Sequence, residues 1–169
     1  MKKFALILAL IMTLCVFAGC TGGDKEPPTD DVTAKTPAQI LLADFKAKMA
    51  ENKSYTTDEM AEALVSNEII KFAGATMPVE PGFLSGFSDE IKGFERGTMF
   101  GPIIGSIPFI GYIFELGEGA DAAAFVATLK ESADLRWNIC VQADEMVCEN
   151  VKNKVFFVMS PSSFGTDGQ

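Results

Sequence analysis

The groups with the most chemistry in this chain are four cysteines, at positions 15, 20, 140 and 148, and 23 carboxylates; there are 14 lysines and arginines and no histidine. Without histidine, every mechanism that needs an imidazole base or metal ligand is excluded. Cys140 and Cys148 would close a short loop as a disulfide, adding about 2–3 kcal/mol by loss of chain entropy in the unfolded state. They could equally stay as two buried thiols, and spacing does not decide between the two. Their gap is not that of a C-x-x-C redox pair, and two cysteines without histidine make a poor zinc site. No metal is expected. Adjacent acids occur at Asp30-Asp31, Asp58-Glu59, Asp89-Glu90 and Asp144-Glu145. None has calcium-loop spacing. A carboxylate pair can cleave glycosides, but neighbouring side chains splay apart, so solvated surface and helix starts are the expectation. Serine nucleophile motifs of the G-x-S-x-G and S-x-x-K types are absent, as is the phosphate-cradling G-x-x-x-x-G-K-[ST]. Gly117-Glu118-Gly119-Ala120-Asp121-Ala122 matches the spacing of a dinucleotide fingerprint. Glu118 and Asp121, however, stand where a pyrophosphate needs positive potential. A tight turn from strand to helix is expected there, with no cofactor and no catalytic residue.

Binding residues are easier to nominate than catalytic ones. Met99 to Leu116 is almost uncharged, and Gly97, Gly101 and Gly105 recur at four-residue spacing before and within it. Small residues so spaced suit a membrane helix, but Pro102, Pro108 and Gly111 break any helix, and Glu115 is a charge. A glycine-rich loop between two strands is expected, with an apolar tip that binds a partner or dips into a membrane. Phe100, Ile103, Ile104 and Ile107 form the candidate surface. Trp137 joins them, since an aromatic beside Arg136 is typical of binding hot spots, although a core plug at a helix end is the alternative.

These residues need a scaffold. Thr36, Pro37 and Gln39 read as N-cap, first helical position and capping box. Ala38, Leu41, Leu42, Phe45 and Met49 follow at helical spacing. Thr56 and Glu59 form a second capping box before Met60, Ala61, Leu64 and Val65. Ile69, Ile70 and Phe72 suggest a strand, and Met77 to Gly82, with Pro78 and Pro81, a loop. Phe94 to Phe100 suggests a further strand. Phe109 to Leu116 is nearly continuous in apolar residues, as a strand covered on both faces would be. Asp121 caps a helix with Ala122, Phe125, Val126, Leu129 and Ala133 on one stripe. Met146–Val151 and Lys154–Met159 read as a hairpin turning at Lys152-Asn153. The expected fold is α+β: two short N-terminal helices, then a mixed or antiparallel sheet packed on one longer helix, closing with the hairpin.

The first residues are of another kind. Met1-Lys2-Lys3 is a short positive start, and Phe4 to Phe17 is a 14-residue stretch without charge, glycine or proline. That is too short for the ~20 residues a spanning helix needs and has the order of an export signal. Phe17-Ala18-Gly19-Cys20 resembles the bacterial lipobox, with Phe17 where leucine is usual. The resemblance implies acylation of Cys20, which would become the first residue of the mature chain. Two acyl chains suffice for stable anchoring. Thr21 to Lys35 is polar and cannot order itself; from Cys20, about 16 residues of flexible tether span roughly 20–24 Å. The expected organisation is a leader at 1–19, an acylated cysteine and tether at 20–35, a single domain at 36–160 and a polar tail at 161–169.

With 169 residues, 48% of them apolar, the chain can bury a core. Global disorder, a collagen-like chain and a multi-span membrane protein are excluded. The net charge of −9 argues against nucleic acid and against attraction to anionic lipid.

Tyr112-Ile113-Phe114-Glu115-Leu116, the helix from Ala120 to Asp134 and the closing Val151-Lys152-Asn153-Lys154-Val155-Phe156-Phe157-Val158 resemble a family of small bacterial lipoproteins of unknown function. That resemblance implies an extracytoplasmic α+β domain on the cell membrane and carries no active site. The sequence therefore points to a lipid-anchored, non-enzymatic binding or interaction module of the cell envelope. Its expected partners are the membrane through lipid on Cys20 and an envelope protein or small ligand. A hydrolase working through carboxylates and a purely structural envelope protein are the alternatives.

Overall fold

The computed structural model describes residues 35–165. The leader, Cys20, the tether before residue 35 and the tail from residue 166 lie outside the described residues.

The first helix, α1 (Pro37–Ala50), starts where its cap says it should: Gln39 N donates to Thr36 Oγ1 and Thr36 N donates to the Gln39 side chain. Ala38, Leu41, Phe45 and Met49 form its buried stripe. The second helix, α2 (Thr57–Val65), opens on the same reciprocal pair, with Thr56 N donating to Glu59 Oε2 at 2.9 Å and Glu59 N to Thr56 Oγ1 at 3.1 Å. The Thr56 N–H, donating to that carboxylate, holds the Glu59 carboxyl below its ordinary range.

Two expectations for the next stretch are corrected. Residues 69–72 form no strand. Asn67 Oδ1 accepts from Ile69 N and Asn67 Nδ2 donates to Asp44, which ties the backbone into a turn while Ile69, Ile70 and Phe72 cover the α1–α2 side of the core. The proline-containing segment is instead a strand, β1 (Gly74–Val79). It pairs only with β4 (Arg96–Pro102) at the sheet edge, where the missing N–H of Pro78 leaves no ladder bond unmade.

Between β1 and β4, the short strands β2 (Gly82–Phe83) and β3 (Glu90–Ile91) pair with each other. Then come β5 (Ile110–Glu115), α3 (Ala122–Ser132), β6 (Glu145–Val151) and β7 (Lys154–Ser160). Asp121 caps α3 by accepting from Ala124 N at 3.0 Å. The five-stranded sheet has the order β1-β4-β5-β7-β6 and is antiparallel throughout, so the chain is an α+β fold. At 14 residues α1 is longer than α3, which has 11, so the first helix and not the third is the long one.

Helices on both faces explain the unbroken apolar strands. Phe100, Ile113, Phe156 and Val158 face α1 and α2; Tyr112, Phe114, Phe157 and Met159, alternating with them, face α3 and β3. All seven residues of β7 are buried. Each large apolar side chain among them contributes about 1.5–3 kcal/mol by leaving water.

The two ends of this sheet differ. At one end β6 turns into β7 through Lys152, at φ +57°, and Asn153. Here Lys154 Nζ meets Glu115 Oε2 at 2.9 Å with side chains only 7% and 19% exposed, and Lys152 Nζ donates to Met49 O. The other end holds the β4–β5 loop, residues 103–109.

Candidate functional site

The β4–β5 loop begins as Ile103 N donates to Ala73 O, just before β1, and ends as Phe109 N donates to Ile107 O. Between them the chain carries two glycine or proline breaks, so it leaves the sheet rather than turning tightly. A second loop, at 137–141, reaches it from the end of α3, and Asn138 Nδ2 donates to Gly105 O at 2.5 Å. The two loops and the sheet end enclose a cleft of about 410 Å³. Its walls are Met99, Gly101 and Pro102 of β4, Gly105, Ile107, Phe109 and Ile110 leading into β5, Ser85, and Trp137, Asn138 and Ile139. A more polar recess of about 400 Å³ adjoins it, between Arg136 and Gln142. Arg136 Nε donates to Gln142 Oε1 at 2.8 Å, which holds the guanidinium at that rim.

Volume and lining suit a small apolar ligand or an inserted side chain. Ser85 and Asn138 set polar groups among the apolar ones. Tyr112 OH donates to Ser85 O at 2.8 Å behind the cleft, and burial pushes the phenol far above its ordinary pKa, so it stays a neutral donor.

Of the candidate surface, Ile103 and Ile104 are exposed at 67% and 71%. Ile107 and Trp137 are half-buried and line the cleft, Trp137 packing on the core as well. Phe100 is corrected: it is fully buried, on the α1–α2 face, with its ring laid over Gly111 of the neighbouring strand. A cross-strand glycine makes the space that such a ring fills. Sequence reading missed Ile139, which is fully exposed. The available signal was a single apolar residue set between Asn138 and Cys140 in a loop rather than on a stripe.

The other nominated groups are dispersed. Cys140 is exposed in the second loop and Cys148 is buried against α3, and neither is in a disulfide. Burial pushes the Cys148 thiol up to about 12. Among the acid pairs, Asp58 accepts from Thr98 Oγ1, Glu59 caps α2, Asp89 accepts from Ser88, Glu90 pairs with Lys92, and Asp144 and Glu145 accept from Ser162 N and Ser160 Oγ. Asp30 and Asp31 lie outside the described residues. Among the described residues no three cysteine or acid side chains converge on a metal-sized site. The Gly117–Ala122 turn has Gly119 at φ +77° and the Glu95 carboxylate 2.6 Å from where a Cβ on Gly117 would stand, so a carboxylate faces the glycine that a phosphate would approach.

In comparisons with known proteins the chain matches no family, no curated protein and no solved structure.

Proposed function

We propose that this chain is a lipid-anchored extracytoplasmic lipoprotein. Its α+β domain works as a binding or interaction module, not as an enzyme, at the cell membrane of the bacterial envelope. The anchor rests on Phe17-Ala18-Gly19-Cys20 behind a charged and apolar leader, and on the polar tether that follows. The observation that carries the binding reading is the cleft between the β4–β5 loop and the 137–141 loop. Ile103, Ile104 and Ile139 are left to solvent beside it, three of the five large apolar side chains exposed among the described residues; Met77 of β1 and Phe83 of β2 are the others. The resemblance to small bacterial lipoproteins of unknown function belongs to the same reading.

Intact mass of protein extracted from membranes in detergent tests the anchor. The expected mass is that of a chain beginning at Cys20 plus acyl groups. An unmodified, water-soluble product would sink the anchor and leave a secreted binding protein.

A further inference from the structure

The same cleft end has features that single out one partner. We infer that the tips of the two loops, Ile103, Ile104 and Ile139, dock into the surface of the bilayer to which Cys20 tethers the domain. The inference deepens the lipoprotein reading and rests on it for the tether.

Charge is the first argument. The chain carries −9 overall, yet no charged residue occurs between Arg96 and Glu115, and Arg136 is the one charge between Asp134 and Asp144. An acidic body approaches a phospholipid surface most easily through its uncharged end. The side chains there are those that partition into an interface: three isoleucines at 67%, 71% and 102% exposure at the tips, with Trp137 and Arg136 behind them. A flat protein-binding face would set its aromatic anchors at the centre; here the tips are aliphatic and project from two separate loops.

Chain direction is the second and independent argument. Phe45 of α1 stacks on Phe156 with ring centroids 5.4 Å apart, and further along Met49 O accepts from Lys152 at the β6–β7 turn. The helix therefore runs toward that turn, and its start at Thr36 lies toward the opposite end of the sheet. That opposite end, where Ile110 pairs with Met159, carries the isoleucines. The tether thus joins the domain at the end with the apolar tips. An anchor at Cys20 would therefore act on the domain from this end. Tethering raises the effective concentration of membrane to about the millimolar range, which makes a shallow insertion persistent.

Trp137 is the only tryptophan in the chain, which provides the probe. The full-length protein, expressed with its own leader and reconstituted in phosphatidylcholine vesicles, is compared with vesicles whose acyl chains are brominated. The expected result is quenching of Trp137 by the brominated lipid, lost in the triple variant Ile103→Asp, Ile104→Asp, Ile139→Asp, with an unchanged circular dichroism spectrum. Absence of quenching in the wild type overturns the inference, as does quenching that survives the triple substitution. Concentration-dependent dimerisation that the same variant abolishes, without quenching, assigns the tips to a second copy instead. The mass of each preparation keeps the two readings apart. Acylated protein without quenching sinks the docking surface alone, whereas quenching in a chain without acyl groups sinks the anchor alone.

Discussion

The two ends of the five-stranded sheet are built from the same three central strands and treat exposed surface in opposite ways. At the β6–β7 end, charge is used inside the fold. Lys154 and Glu115 face each other nearly out of water, Lys152 donates to the Met49 carbonyl in the last turn of α1, and a two-residue turn leaves little loop to order. At the β4–β5 end, the loop is long, uncharged and tipped with isoleucines in solvent. The first arrangement has meaning only as stability, because removing one partner of a buried ion pair strands the other. In the second, Ile107 and Trp137 pack on the core while Ile103, Ile104 and Ile139 are left in solvent, where they add little to folding. Residues with no structural employment are where a search for a partner belongs.

Five measurements would break or sharpen this contrast. The largest expected effect is kinetic and concerns the two thiols. Cys140, in the open-end loop, should alkylate in the unreduced native protein, while Cys148 waits for unfolding and reacts on the order of a thousandfold more slowly. Protection of both until a reductant is added would mean a disulfide and a different second loop. The raised Cys148 pKa has a sign too. The unfolded thiol ionises near its ordinary 9 while the folded one holds its proton to about 12, so stability should fall as pH rises through that interval.

Next in size is Lys154→Met. Leaving the Glu115 carboxylate without its partner should cost about 3–5 kcal/mol in denaturant unfolding, and pairing it with Glu115→Leu should recover most of the loss. A small effect of the single change would mean that this end is wetter than its exposure indicates. Third is Gly111→Ala, which drives a methyl into the Phe100 ring and should cost about 1–3 kcal/mol. It asks whether the buried strands beneath the open end are as tightly packed as those at the other.

Fourth is Thr56→Ala, expected to cost about 1 kcal/mol through the lost cap of α2. Because the Glu59 carboxyl is held below its ordinary range, the support it lends is present above the unfolded carboxylate pKa of 4.5 and lost as pH falls through the folded value. Acid titration of helix content should show this loss in the wild type and in Thr56→Ala alike, because the backbone N–H at position 56 still donates to Glu59, and should not show it in Glu59→Gln. Smallest is Ile103→Asp or Ile139→Asp, each expected within about 0.5 kcal/mol of the wild type in unfolding. A loss of several kilocalories would show that the tips pack in the fold, and would remove the reason to look for a partner there.

How far the sequence could be read depended on the range of the interaction involved. Caps were legible because Thr36 with Gln39, Thr56 with Glu59, and Asp121 with Ala124 act over three residues. The hairpin at Lys152-Asn153 and the two-sided burial of β5 and β7 were legible as patterns of period and run length. The segment from residue 69 to 82 was not. Whether Pro78 breaks a strand depends on which strand lies at the edge, and sheet order is a property of the whole chain. Ile69 and Phe72 looked like a strand because apolar runs look alike, until Asn67 reached back to Asp44 in α1.

The candidate site divides in the same manner. Ile103 and Ile104 were recognisable as apolar residues in a broken segment, but Phe100 three positions earlier reads identically and is buried, because its ring found the space over Gly111. The sequence by itself determined the fold class, the helix starts, the uncharged stretch and the acidity of the rest, all of which depend on neighbours close along the chain. Tertiary structure alone decided which apolar residues were left outside and that Ile139 joins Ile103 and Ile104 at one end. Burial is settled by what the other strands and helices have already covered, and no local pattern contains that information.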